Sequence, residues 1–378
     1  MWLGMVTHLV WVLVVLGLTV RGFRVRLETL SPIHVGSGER LSGLDYAVLG
    51  DVVYVVDSDR LFNAFMERGL LERYLRFVSA GGGRKMLSDF LKNVGLFNEG
   101  FLRSVSAYTM RCSRGLGFAG GEVKAFVRGP DGSLYLPGSS LKGSLRTAVI
   151  LSYLLADTAL QSRVVSELGG RPSGVVVENV LRRVRGDLGS DLLRLLRPSD
   201  LFLLSSSVVG EVAGLRSLSF RTGRFRVLGF VEVVPSGVVF EGVVRVLDEG
   251  RVVKYVGGGV DLDRFVDALR VRSERLLDRL LKRFGGTSGS GVDVVRDYLE
   301  KIRDRVDGGG VVSTVGFGQG YWGVTVTEFK PELLPLLRLK SARGLRPNDF
   351  PRSLRVVDRG FGLEPLGWVL LGFEEVGE

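Results

Sequence analysis

The segment Leu136-Pro-Gly-Ser-Ser-Leu-Lys-Gly-Ser-Leu-Arg-Thr147 constrains this chain more than any other. Pro137 lacks a backbone donor and Gly138 lacks a Cβ, so a strand ends at Leu136, and a serine then caps the start of a helix. A helix start presents unpaired backbone N–H groups at the positive end of its dipole. With the hydroxyls of Ser139 and Ser140, these form a seat for a phosphate oxygen. Lys142 and Arg146 stand four residues apart on one face, while Leu141, Leu145, Ala148 and Val149 cover the other. A capped surface helix with two solvated cations satisfies the same spacing. The order Gly-x-x-x-x-Gly-Lys-Ser/Thr is absent, so this is not a nucleotide-binding P-loop.

A second glycine pattern, Val315-Gly-Phe-Gly-Gln-Gly-Tyr-Trp322, alternates Gly316, Gly318 and Gly320 with Phe317, Gln319 and Tyr321. Such a backbone can approach a ligand closely and leave aromatic rings for base stacking. A tight turn whose aromatics belong to the core reads the same way. No Gly-x-Gly-x-x-Gly opens a helix in a βαβ unit, which excludes the dinucleotide fingerprint.

Composition bounds what these loops can serve. At 378 residues, 45% hydrophobic and 24% charged, the chain is an ordinary globular protein, either one elaborated domain or two small ones. The net charge of +10 is carried mainly by arginine and favours a polyanionic partner, although a compositional bias toward arginine would give the same total. The single Cys112 excludes an intrachain disulfide and a cysteine-built zinc site, and fits a reducing cytoplasm. His8 and His34 are the only histidines, so a His-rich metal centre or a Ser-His-Asp triad is not expected, and no metal or cofactor is predicted.

Residues 1–20 hold only Thr7, His8 and Thr19 as polar side chains, near the length of a membrane-spanning helix. No basic residue precedes Arg21 and no A-x-A pattern follows, which argues against a secretory signal. A membrane anchor flanked by Arg21, Arg24 and Arg26 is one reading, and a mis-assigned start or a loosely held extension is the other. The expectation is an apolar extension over 1–22, a folded body over 23–378 and no stable membrane association.

Within that body, alternation of Phe23, Val25 and Leu27 with Arg24, Arg26 and Glu28 predicts a half-buried strand. It runs into Ser31-Pro-Ile-His-Val-Gly-Ser-Gly38, where Pro32 and two glycines end the ladder. A strand is predicted over 52–56, followed by a helix capped by Ser58 that carries apolar residues from Leu61 to Tyr74. Hairpins are predicted about Gly129-Pro-Asp-Gly132 and Pro235-Ser-Gly237, and helices over 139–156, 175–197, 262–284 and 292–306. The last two form a helical insertion between glycine-rich hinges. No fixed-period repeat is present.

Three separated segments resemble one family in the right order. Leu27-Glu-Thr-Leu-Ser-Pro-Ile-His-Val-Gly-Ser-Gly38 resembles the opening strand and loop of RAMP proteins of type III CRISPR-Cas effector complexes. Tyr135 to Arg146 resembles their signature loop and helix, and Gly316-Phe-Gly-Gln-Gly320 their C-terminal glycine-rich loop. The similarity covers roughly residues 23–372. Asp45-Tyr46, Val53 to Asp57 and Pro365-Leu-Gly-Trp368 look most like the Csm-type (III-A) subunit at the 3′ end of the guide RNA.

The resemblance implies an α+β fold, a modified RRM, ferredoxin-like core with glycine-rich loops and large helical insertions around 58–110, 150–215 and 258–310. It implies a cytoplasmic, non-catalytic subunit that binds crRNA and packs on neighbouring RAMP backbone subunits, with target RNA and host nucleases for crRNA maturation as further partners. By carry-over, His34, Gly36, Ser37, Gly38, Ser139, Ser140, Lys142, Gly143, Arg146, Gly316, Gly318 and Gly320 are the expected RNA-binding positions. Ordinary RRM aromatic motifs are not evident. The rival expectation is a metal-dependent endoribonuclease using Asp45, a lone carboxylate able to help hold Mg²⁺ with water and phosphate. Asp45 lies between Leu44 and Tyr46 and lacks the Gly-x-Asp setting of the cleaving relatives, which favours a structural carboxylate.

Overall fold

The computed structural model describes residues 18–80, 85–118, 120–168, 196–249, 262–325 and 350–376. The first strand, β1 (Leu18–Thr29), starts earlier than its alternation suggested, because pairing with residues 239–249 begins at Leu18. Residues 18–22 therefore belong to the folded body. The rest of the apolar run, including His8, lies outside the described residues. Phe23, Val25 and Leu27 are buried, and Arg24 and Arg26 stay on the outer face, the period-two pattern of a sheet wetted on one side.

After β1 come β2 (Gly36–Leu41), β3 (Tyr46–Leu49) and β4 (Val52–Val56), then α1 (Ser58–Glu67), α2 (Leu71–Ser79), α3 (Leu87–Asn93) and α4 (Glu99–Val105). The chain continues through β5 (Ser106–Arg111), β6 (Val123–Phe126), β7 (Tyr135–Leu136), α5 (Gly138–Ala156), α6 (Thr158–Leu168), β8 (Leu196–Pro198) and β9 (Leu201–Leu203). It then forms β10 (Gly210–Ser219), β11 (Phe225–Val233), β12 (Val239–Glu249), α7 (Leu262–Phe284) and α8 (Ser290–Asp307). It closes with β13 (Val311–Thr314), α9 (Gly320–Val324), β14 (Ser353–Asp358), β15 (Leu363–Pro365) and β16 (Trp368–Val376).

The strands build two sheets. The first has the order β13-β16-β1-β12-β9-β7, with β8 also on β12. The second runs β2-β6-β11-β10-β5-β4-β3, with β14 on β10 and β15 on β14. In the first sheet β1, β9, β12 and β16 occupy the positions 4-1-3-2 of a ferredoxin-like unit, all antiparallel, with α5 and α7 as its two helices. Thus α7, expected in a peripheral insertion, is a core helix: Leu262, Phe265, Ala268 and Leu269 pack with β1, β12 and α5. The solvent face of this sheet carries mixed charge, with Arg24 pairing with Glu241 and Glu374 at 3.7 Å, and a stacked Tyr135–Phe202 pair in which Phe202 is exposed.

The chain alternates strictly between the sheets: β1, then β2 to β6, then β7 to β9, β10 and β11, β12 and β13, β14 and β15, and β16. This corrects both expected hairpins. β11 pairs with β10 and β6 while β12 pairs with β1, so Pro235-Ser-Gly237 carries the chain from one sheet to the other. Around Gly129-Pro-Asp-Gly132 only the Arg128–Leu134 bridge forms before β6 and β7 part to different sheets. Residues alternating beside a turn satisfy either arrangement, and the pairing partner lies elsewhere in the chain.

The helix expected from 58 to 74 is two helices, because Gly69 turns left-handed at φ +65° after α1. Asp57, not Ser58, caps α1, accepting from the Asp59 and Arg60 N–H groups at 3.0 Å. α1 to α4 bury Leu61, Phe65, Tyr74, Phe90 and Leu102 in a separate core against β3 and β4. Of the helix expected over 175–197, residues 175–195 lie outside the described residues, and Leu196–Pro198 is a strand. Among the described residues no single helix is long and apolar enough to cross a membrane.

Candidate nucleic-acid interface

Where the chain crosses between sheets, the crossings bond to one another. The Phe317 N–H donates to the His34 carbonyl at 2.7 Å, Gly367 N–H to Pro32 at 2.9 Å and Val315 N–H to Gly367 at 2.8 Å. Ile33 exchanges bridge bonds with Val234. The two glycine-bearing loops singled out in the sequence are therefore neighbours in a seam. Gly316, Gly318 and Gly320 have φ of +75°, +92° and +74°, a left-handed backbone that side chains resist. A Cβ at Gly316 would stand 2.4 Å from the His34 carbonyl oxygen, so the close approach of the loops also demands glycine.

Gly36, Ser37 and Gly38 form the exposed rim of this seam. β2 pairs with β6 at Gly36–Phe126 and again at Arg40–Lys124, so the residues between them bulge outward, helped by Gly38 at φ +93°. His34 lies beneath, 3% exposed, with its Nδ1 at 2.6 Å from the Glu232 carbonyl and its ring edge-on to Phe126 and Phe317. Nδ1 must carry the proton to donate to that carbonyl, which leaves Nε2 unprotonated beside Gly36. His34 supports the loop from below and is not on its surface. Burial, chiefly, and the charge of Lys124 hold its pKa below the usual 6.5, while the Glu232 carbonyl acts in the opposite sense.

Glu232 is 0% exposed and anchors the node. Its carboxylate accepts from the Phe126 N–H at 2.9 Å and from the Arg128 guanidinium, and Arg128 lies 3.7 Å over the Tyr108 ring. Burial pushes the Glu232 carboxyl up, and Arg128 opposes the push. Burial also drives the Tyr108 phenol up to about 12, with the Glu232 charge adding to it. Gly210 makes room for this carboxylate, since a Cβ there would fall on Glu232 Oε1.

The aromatic rings of the second glycine loop are not presented for stacking. Phe317 packs on the second sheet beside Ala213, Leu215 and Val231, and Tyr321 lies edge-on to Phe350 with ring centroids 4.7 Å apart. Gln319 staples the loop shut, its Nε2 donating to the Gly316 carbonyl at 2.8 Å and its Oε1 accepting from Thr314 at 2.7 Å.

α5 reaches the seam through its buried face, where Ser144 and Ser313 hydroxyls meet at 2.7 Å just before the 315–320 loop. Arg272 of α7 donates to the Ser144 hydroxyl at 3.2 Å and to the Gly323 carbonyl. The expected serine cap is corrected: Pro137 holds the cap position without a side-chain bond, and the Gly138 N–H donates to Asp200 Oδ1 at 2.8 Å. A carboxylate thus already occupies part of the positive helix end that the sequence offered to phosphate. Ser139 and Gly143 are exposed, Ser140, Lys142 and Arg146 half-buried. A Cβ at Gly143 would meet nothing within 4 Å, so no intramolecular contact requires glycine there.

Asp45, the candidate nuclease residue, spends its carboxylate on its own turn. Its Oδ2 accepts from the Ser42 N–H at 2.6 Å and the Ser42 hydroxyl at 2.7 Å. Among the described residues no group of three His, Cys, Asp or Glu side chains is placed to hold a metal. Sequence reasoning missed Glu232, Arg128 and Asp200. Glu232 had a readable signal, a lone acid in the Val-rich run of β11; Asp200 had none, because its partner lies 62 positions away.

A ferredoxin-like unit sewn to a second sheet by glycine-bearing crossings places this chain in the α+β, modified-RRM class. The chain belongs to the RAMP superfamily, whose model matches residues 26–291. It is 31% identical over 136 residues to the CRISPR system Cms protein Csm5 of Streptococcus thermophilus, an alignment covering 34% of this chain and 38% of that protein. With its counterpart from Mycobacterium tuberculosis it shares 28% over 157 residues, covering 38% and 42%. These matches span about two-fifths of the relatives' length. The Csm5 protein of Methanocaldococcus jannaschii is 22% identical over 387 residues, covering 93% of this chain and 89% of that one. Among solved structures, a chain of the cryo-EM Csm-crRNA-target RNA ternary complex of a type III-A CRISPR-Cas system superposes with a TM-score of 0.69 at 20% identity, covering 93% of this chain and 100% of its own. The crystal structure of T. onnurineus Csm5 gives 0.62 at 19%, covering 91% and 99%.

Proposed function

We propose that this chain is the crRNA-binding subunit of a type III-A (Csm) CRISPR interference complex, capping the 3′ end of the guide RNA and packing on neighbouring RAMP subunits in the cytoplasm. The carrying observation is the seam, in which the loop that leads into the exposed Gly36-Ser-Gly38 bulge bonds to the 315–320 loop through His34 and α5 is tied to the same place through Ser144 and Ser313. Glycine-lined backbone on a basic protein suits a ribose-phosphate strand, whose phosphates neutralise cations and whose bulk needs surfaces free of side chains. The relatives named Csm5 and the Csm-crRNA-target RNA assembly supply the biological setting.

The chain acts in this reading by holding RNA, without cutting it. Asp45 supports that view through its bonds to Ser42, which leave it closing a turn. The test is to mix purified protein with labelled single-stranded RNA in Mg²⁺ over a range of salt. Retention that weakens as salt rises, with intact RNA, is the expected result. RNA scission abolished by Asp45→Ala would replace this reading with the nuclease one, and absence of binding at low salt would overturn it.

A further inference from the structure

The second sheet gathers cations beside the seam that no acid among the described residues neutralises. Lys124 Nζ and Arg355 Cζ each lie 4.9 Å from the centroid of the Phe317 ring. Neither forms an ion pair or a side-chain hydrogen bond with any described residue. Their neighbours behave differently. Arg359 is clamped by Glu364 and Glu211 at 2.7 and 2.9 Å, Arg216 pairs with Asp358, Arg40 with Glu122 and Arg128 with Glu232. The fold thus neutralises the arginines around this place and leaves two like charges drawn toward one ring. An aromatic face attracts each cation but leaves its charge uncompensated, whereas a bound anion compensates it.

Register extends the row. Ser217 of β10 is paired on one side with Arg355 and on the other with Arg226, so both guanidinium-bearing positions flank the same residue. Arg355 and Arg226 are exposed. On the other side, Lys124 is paired with Arg40 at the end of the Gly36–Gly38 bulge. Lys124 and Arg355 thus stand on two strands of the same sheet, β6 and β14, with β11 and β10 between them, and both reach the Phe317 ring.

We infer that Lys124 and Arg355, positioned on Phe317, form a phosphate clamp for single-stranded RNA that extends the interface from the Gly36-Ser-Gly38 bulge onto the second sheet, with Arg226 as a further contact. The inference rests on the RNA-binding reading above and deepens it: Phe317 serves as a platform for cations, where the sequence suggested a base-stacking ring.

The experiment measures affinity of the full chain for a labelled single-stranded RNA as a function of salt, for the wild type, for Lys124→Gln/Arg355→Gln, and for a control pair, Arg73→Gln/Arg76→Gln, on α2 away from the seam. The clamp pair is expected to keep the wild-type thermal midpoint and to lose roughly tenfold in affinity, the worth of one charge-assisted contact. Its plot of log affinity against log salt should be shallower by about 0.7, one phosphate of a single strand. The control pair should match the wild type. Wild-type affinity and slope in the clamp pair, or an equal loss in the control pair, would overturn the clamp and leave the RNA-binding reading standing. A wild type that binds no RNA would remove that reading and the clamp with it.

Discussion

His34 and Gly143 illustrate how a single position can be chosen for what it excludes. Unfolded, His34 takes up a proton as pH falls through its ordinary value of 6.5; folded, its pKa is lower, so the native state binds fewer protons in that range. Stability tied to neutral His34 is therefore present above 6.5 and lost on acidification. The denaturation midpoint should fall between pH 7 and pH 5, and His34→Gln should flatten that fall, with an unchanged slope counting against the assignment. Glu232, whose carboxyl is pushed up, acts in the opposite sense, so the variant isolates the histidine. Gly143 sits inside α5, where alanine would stabilise the helix by about 1 kcal/mol, and its Cβ has open space. Gly143→Ala should raise the thermal midpoint while weakening RNA binding, if a strand lies against that helix face; a gain in both would remove Gly143 from the interface.

At the scale of elements, α5 was legible because Leu141, Leu145, Ala148, Val149 and Leu154 recur at helical spacing, and each is buried. Leu145→Ala should cost about 3 kcal/mol in chemical denaturation, since burial is lost and a cavity remains. The cap was not legible. Asp200→Ala should destabilise by about 1 kcal/mol through loss of the bond to the Gly138 N–H, without lowering RNA affinity, because a negative charge leaves the helix end. A fall in RNA affinity measured on the folded variant would show that Asp200 organises the binding surface. β11 and β12 were legible as strands and misread as a hairpin, because alternation specifies a buried face and not the strand that lies beside it.

At the scale of the molecule, neither sheet is a contiguous stretch of chain, so the closure of each spans segments that belong to the other. α1 to α4, by contrast, are one uninterrupted excursion with their own core. Hydrogen exchange should show β1, β12 and β16 opening with β10 and β11 in one step, while amides of residues 58–105 open separately at lower free energy. Separate opening of the two sheets would contradict the sewn architecture. The same alternation explains the site, because crossings between sheets are where turn residues collect and where backbone is left bare at the surface.

The sequence by itself determined the strands and helices with strong periodicity, the glycine positions where backbone must turn left-handed, and the absence of cysteine-based zinc chemistry. These depend on neighbours along the chain and on residue type. Only the tertiary structure decided which strands pair, that Asp200 caps α5, that His34 and Phe317 are turned inward, and that Lys124 and Arg355 each stand over the Phe317 ring. Those contacts join residues tens to hundreds of positions apart, and their free energy comes from burial and charge in a packed interior that no local spacing encodes.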